Sequence, residues 1–165
     1  MQTETLEVKL KTAAKFLDRW AVETTTPEPE RLDVVIDATD LLAAVAGMVK
    51  IQWGYLATIT GIDLGVEDGR LELLYHFCSG PAVVTLRVRI PRGNAFIPSI
   101  YEFIPSVSFY ERELIEMLGI TIANTPNTDR LFLPDDWPEG VYPLRKDFDI
   151  NEAQTPRNRK ANGNT

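Results

Sequence analysis

Ser106 to Phe148 reads SVSFYERELIEMLGITIANTPNTDRLFLPDDWPEGVYPLRKDF. It opens as a short amphipathic helix. Tyr110, Leu114, Met117 and Leu118 recur at i, i+4, i+7 and i+8 and form one apolar stripe. Ser108 and Glu111 have capping-box spacing, in which hydroxyl and carboxylate each take a free backbone N–H. Gly119 stands where the helix should stop, since a left-handed terminal residue is cheapest as Gly. Arg112 and Glu116 fall on the opposite face and can pair along the helix, with Glu113 at the edge of that face. Beyond Gly119 the sequence is too apolar for a loose tail and too rich in Pro for regular structure. Pro126, Pro134, Pro138 and Pro143 fix φ and remove donors. Leu131, Phe132, Leu133, Trp137, Tyr142 and Leu144 would each lose about 1.5–3 kcal/mol if kept from burial. Such a segment is expected to lie along a surface, its own or a partner's.

Upstream, Leu6, Leu10, Ala13, Ala14 and Leu17 repeat at helical spacing, which predicts a helix over about residues 5–20. Residues 24–31 (TTTPEPER) read as a linker. Strands are expected at Asp33–Asp37, Tyr55–Leu64, Arg70–Ser79 and Ala82–Ile90, with a helix over Leu41–Lys50 behind Asp40 as N-cap. Gly65–Gly69 and Gly80-Pro81 supply turns. Ile100–Ile104 allows one helical turn before Pro105 stops it. The order predicts an α+β fold: an antiparallel or mixed sheet of about four strands, helices packed on one face, then an extended Pro-rich C-terminal segment. The division is residues 1–119 as the α+β domain, 120–150 as a partner-binding segment, and 151–165 as a polar, mobile tail.

The protein has 165 residues, a net charge of −7 and 44% hydrophobic residues. That charge argues against nucleic acid as a partner, because phosphate contacts need clustered Lys and Arg. Cys78 is the only cysteine, so no disulfide framework or cysteine-ligated cluster is expected. No run approaches the roughly 20 apolar residues of a membrane span, and no secretory signal pattern opens the sequence. Membrane contact is therefore expected only through partner subunits.

His76 is the only histidine and reads as a packed strand residue, without further ligands nearby for a metal. His76 and Cys78 share a strand face but make a poor nucleophile–base pair. Glu111, Glu113 and Glu116 offer carboxylates for acid–base work, the reading that would make this a small free-standing enzyme. The structural reading of the three is preferred, and Glu113 is the least explained by it. Asp135, Asp136 and Glu139 could hold a cation, though Asp-Asp-Trp-Pro is more simply a turn. No glycine-rich phosphate loop occurs.

Several motifs occur in a fixed order: Tyr110-Glu111-Arg112-Glu113, Met117-Leu118-Gly119-Ile120, Leu133-Pro134-Asp135-Asp136-Trp137 and Pro143-Leu144-Arg145-Lys146-Asp147-Phe148. Together they resemble the thirty-kilodalton subunit family of respiratory complex I, which includes the homologous subunit of energy-converting membrane-bound [NiFe] hydrogenases. The resemblance implies a subunit with no cofactor of its own, on the cytoplasmic side of a prokaryotic cell membrane. NAD, FMN, Fe–S or Ni–Fe centres would belong to partner subunits. It further implies docking on the large, forty-nine-kilodalton-type (or hydrogenase large) subunit beside a neighbouring Fe–S subunit. The contact residues expected there are Arg112, Glu113, Arg130, Trp137, Arg145, Lys146 and Asp147, with interfacial ion pairing by Arg145, Lys146 and Asp147. The assembly would be an NADH:quinone oxidoreductase coupled to proton translocation or, as the alternative, an energy-converting hydrogenase or formate hydrogenlyase.

Overall fold

Alternation along the strands settles which side of the sheet is the core. In the computed structural model, which describes residues 5–151, Leu71, Leu73, Tyr75 and Phe77 point to one face and are buried. Their cross-strand partners Ile90, Val88, Leu86 and Val84 do the same. The elements in sequence order are α1 (Leu6–Leu17), β1 (Ala21–Thr25), β2 (Arg31–Ile36), α2 (Leu41–Lys50) and β3 (Tyr55–Gly65). Then follow β4 (Arg70–Ser79), β5 (Ala82–Pro91), β6 (Phe96–Pro98), α3 (Ser108–Leu118) and β7 (Thr121–Ala123). The main sheet has the order β1-β2-β5-β4-β3; β2 and β5 are parallel and the other neighbours antiparallel. A small parallel pair, β6-β7, stands apart.

The α+β architecture with a mixed sheet agrees with the sequence, but the main sheet has five strands rather than four. The additional strand is β1, inside and just before what reads as a linker. Four of its five residues are exposed, so it lacks the apolar alternation that marks a strand, and pairing with β2 holds it, with Ala21 packed against the core. All three helices join one core cluster with the apolar strand face: Leu17 of α1, Met48 of α2 and Leu118 of α3 are each at most 1% exposed. Residues 38–40 form a short 3-10 turn before α2, and Asp40 makes no side-chain cap bond. The single turn expected at Ile100–Ile104 is present, with the Phe103 and Ile104 N–H groups both donating to Ile100 O at 3.0 Å; Pro105 then opens the 3-10 turn Pro105–Val107 that leads into α3, a role its fixed φ suits.

The opposite sheet face carries polar side chains. Glu72 is 2% exposed yet ionised, because Arg87 and Arg89 both donate to it. Burial pushes its carboxyl up, and those two guanidinium groups more than reverse this and hold it below the ordinary range. Arg87 also reaches Asp33 at 3.2 Å. His76 hydrogen-bonds with Thr85 Oγ1 at 3.1 Å; burial, then Arg31, lowers its pKa, so the ring is neutral at pH 7. It is a packed strand histidine, as the sequence suggests.

Gly61 places α3. An added Cβ there would lie 2.3 Å from Leu118 and 2.7 Å from Leu114, so only Gly lets the helix close onto β3. The C-terminal tail assigned to 151–165 lies, apart from Asn151, outside the described residues.

Candidate docking site

Helix α3 is the post to which the C-terminal segment is fastened. Its end is as the sequence predicts: Gly119 has φ 68° and ψ 38°, a left-handed cap. Its start is not. Ser108 and Glu111 form no capping box, and no side chain caps the helix. Glu111 is 3% exposed and turns inward, where it accepts from Ser99 Oγ at 2.9 Å and from the Ile100 N–H at 3.1 Å. The preceding 3-10 turn already occupies the helix start, which frees the carboxylate for this longer-range bond.

Arg112 and Glu116 do not pair with each other either. Arg112 donates to the carbonyls of Asp129 and Arg130, at 2.8 and 2.6 Å. Glu116, 9% exposed, accepts from three consecutive backbone N–H groups: Leu131 at 3.2 Å, Phe132 at 2.9 Å and Leu133 at 2.7 Å. A carboxylate holding three amides replaces the ladder bonds that a Pro-rich segment cannot make for itself. The two side chains thus seize opposite polarities of one stretch, Arg the carbonyls and Glu the amides.

Past this point the segment is strapped down along its length. Arg130 donates to the carbonyls of Pro134 and Trp137 and closes the Asp135-Asp136 turn. Trp137 Nε1 donates to Val141 O at 2.8 Å, and its ring stacks on Phe148 with centroids 6.3 Å apart. The Leu144 N–H reaches Met117 O at 3.1 Å. Arg145 lies over the Tyr142 ring and donates to Leu118 O, a terminal carbonyl of α3, at 2.8 Å. Asp63, at the end of β3, collects the Lys146 N–H, the Gly65 N–H and Arg92 Nε. Arg92 also holds Asp147. Burial pushes the Asp63 carboxyl up, but Arg92 and the two amides outweigh this and hold it below the ordinary carboxylate range.

The structure therefore brings six of the seven expected contact residues together, within the protein's own hydrogen-bond network. Arg112, Arg130, Trp137, Arg145, Lys146 and Asp147 all spend polar groups inside the molecule. Glu113 differs: it is half-buried and has no hydrogen bond or ion pair among the described residues. Asp63 and Arg92 are fastening residues that sequence reasoning missed. The Asp63-Leu64-Gly65 step, an Asx turn onto Gly, was the available signal. Outward from the strap point Phe132, 63% exposed, and Leu144, 53% exposed, with Asp135 and Asp136 between them in sequence. Among the described residues no group of three or more His, Cys, Asp or Glu could hold a metal ion. Glu111 and Glu116 are committed to structural bonds rather than paired for acid–base work.

A mixed-sheet α+β domain with a fastened C-terminal strap is the class defined by this fold. The chain belongs to the family described as respiratory-chain NADH dehydrogenase, 30 Kd subunit, whose model matches residues 34–154, from within β2 through the strap. It is 37% identical over 111 residues to a subunit of the F(420)H(2) dehydrogenase of Methanosarcina mazei, covering 66% of this chain and 69% of that protein. It is 40% identical over 87 residues to the membrane-bound hydrogenase subunit beta of Pyrococcus furiosus, covering 52% of this chain and 50% of that one. The match thus spans only half the length of the latter. In fold it is similar to a polypeptide of the membrane-bound sulfane sulfur reductase, an archaeal respiratory membrane complex. That likeness has a TM-score of 0.75 at 21% identity and covers 94% of this chain and 96% of the other. The family is one of subunits in complex I-like and hydrogenase-type complexes.

Proposed function

We propose that this protein is a docking subunit in the peripheral part of a membrane-bound, complex I-like NADH:quinone oxidoreductase. It lies on the large, forty-nine-kilodalton-type subunit, beside the neighbouring Fe–S subunit, and performs no redox step itself. NAD, FMN and Fe–S centres belong to those partners, and the docking subunit supports their electron transfer and the coupled proton translocation by holding them in place. Among the described residues no helix is long and apolar enough to cross a membrane. Attachment to the cytoplasmic side of a prokaryotic membrane then runs through partner subunits.

The observation that carries this reading is the outer surface of the strap. Many of its polar groups are used inward, yet Phe132 and Leu144 remain mostly exposed. Large apolar side chains fixed in water are the usual material of an interface core. A second reading, the equivalent subunit of an energy-converting [NiFe] hydrogenase, is favoured by the 40% identity to the Pyrococcus furiosus protein.

The test is co-purification from the native assembly with a tag on this protein. The wild type should bring down a large subunit in equal amount, and the double variant F132D/L144D should lose it while keeping its circular dichroism spectrum. Metal analysis of the large subunit then separates the two readings, since only the hydrogenase version carries nickel. A wild-type protein that purifies without a large subunit would overturn both.

A further inference from the structure

The four charged side chains of α3 have different fates. Glu111, Arg112 and Glu116 are consumed by the molecule's own backbone or by Ser99. Glu113 is not, and it lines a groove of about 150 Å³ between β3 and α3, together with Thr58, Thr60, Leu114, Met117 and Leu144. Phe109, one turn earlier on the same stripe of the helix, is 62% exposed. The outer edge of β3 has no neighbouring strand among the described residues, because β3 ends the sheet. A partly apolar lining, a strand edge with no neighbouring strand and a carboxylate with no hydrogen bond or ion pair among the described residues therefore meet in a single place, although Tyr110 takes Ala57 O and Lys146 takes Leu64 O on that strand.

Each feature narrows what fits. A free edge offers main-chain donors and acceptors to an extended peptide. The apolar part of the lining, Leu114, Met117, Leu118 and Leu144, accepts an apolar side chain. The carboxylate, partly shielded from water, gains most from a cation brought by the same segment. Leu144 belongs to the strap, so the groove is continuous with the face assigned above to docking.

We propose that this groove receives an extended segment of the large subunit, with an apolar side chain seated between Thr58 and Leu144 and an Arg or Lys paired with Glu113. The inference rests on the docking reading and specifies how that partner is recognised.

The full-length protein, fluorescently labelled, is titrated with the purified large subunit at low and high salt. E113K should weaken binding by about tenfold or more. E113Q should weaken it by a few-fold and flatten the salt dependence. Neither should change the melting temperature of the free protein. A photo-crosslinker replacing Phe109 should capture a large-subunit peptide that contains Arg or Lys. If wild type binds and E113K binds equally well, the groove is not the recognition site and docking by the strap stands. If wild type does not bind at all, the docking reading itself falls. If E113K also lowers the melting temperature, the E113Q salt profile and the crosslink decide, and an unaltered profile with no capture overturns the inference.

Discussion

Across β4 and β5, ten residue pairs run in unbroken register from Arg70↔Pro91 to Ser79↔Ala82, whereas the strap from residue 131 to 148 contains no strand or α-helix. Both are ordered, by different means. Inside the sheet, along β4 and β5, backbone groups pair mainly with other backbone groups, and side chains are left to fill the core. In and just before the strap many backbone groups find side chains instead, Glu116 for three amides, Arg112 and Arg130 for carbonyls and Asp63 for the Lys146 amide, beside a few backbone–backbone bonds such as Leu144 N–H to Met117 O. Order in the first region is spread over many small contributions. In the second it is concentrated in a handful of charged residues, so single substitutions should act locally and completely.

The largest expected effect tests the sheet side of this contrast. Leu86 is fully buried at the centre of β5, and L86A should cost about 2–5 kcal/mol of global stability, read by urea unfolding. Sheet and strap should melt together, because the strap has nothing to hold once the sheet is lost. A smaller and more selective effect is expected from E116Q. It removes the charge that binds three amides and should cost about 1–3 kcal/mol, confined to the strap. Hydrogen exchange should speed up at Leu131–Leu133 while β4 and β5 keep their protection. Uniform loss of protection would show that sheet and strap are one cooperative unit and would break the comparison.

The mildest perturbation is pH. The folded-state pKa of Asp63 lies below its ordinary value of 3.8, so its contribution is fully present above that value. It is lost as pH falls through the lower, folded-state value. Exchange at the Lys146 amide should therefore accelerate only under strongly acid conditions, and D63N should abolish that dependence. An acceleration beginning near neutrality would point to another group.

The same contrast explains what could be read from the amino acids alone. Helix α2 is found at Leu41–Lys50, the predicted bounds, and β4 and β5 lie where their alternation puts them. Periodicity reports local structure that packs against a continuous surface. It is silent about β1, whose residues face water on nearly all sides. It misleads at Glu111 and Glu116, because a carboxylate on a helix looks solvent-facing until its partner is known. Those partners lie 11 to 17 residues away and are mainly backbone groups, which leave no trace in side-chain identity. Trp137 and Arg145 stood out by type, but type did not reveal that their polar groups turn inward.

Gly119 has a consequence that reaches beyond the helix it ends. A Cβ there would fall 2.3 Å from the ring of Tyr142, so the missing methyl is also the seat of a strap side chain. Helix length then works as a ruler. Each α-helical residue turns the backbone by about 100°, so one residue inserted between Glu116 and Gly119 would swing that seat round the axis. The grip of Glu116 and the seat of Tyr142 would fall out of phase and could not both be occupied. Loops elsewhere can drift in size, but the spacing from residue 112 to residue 119 is a fixed dimension of the molecule.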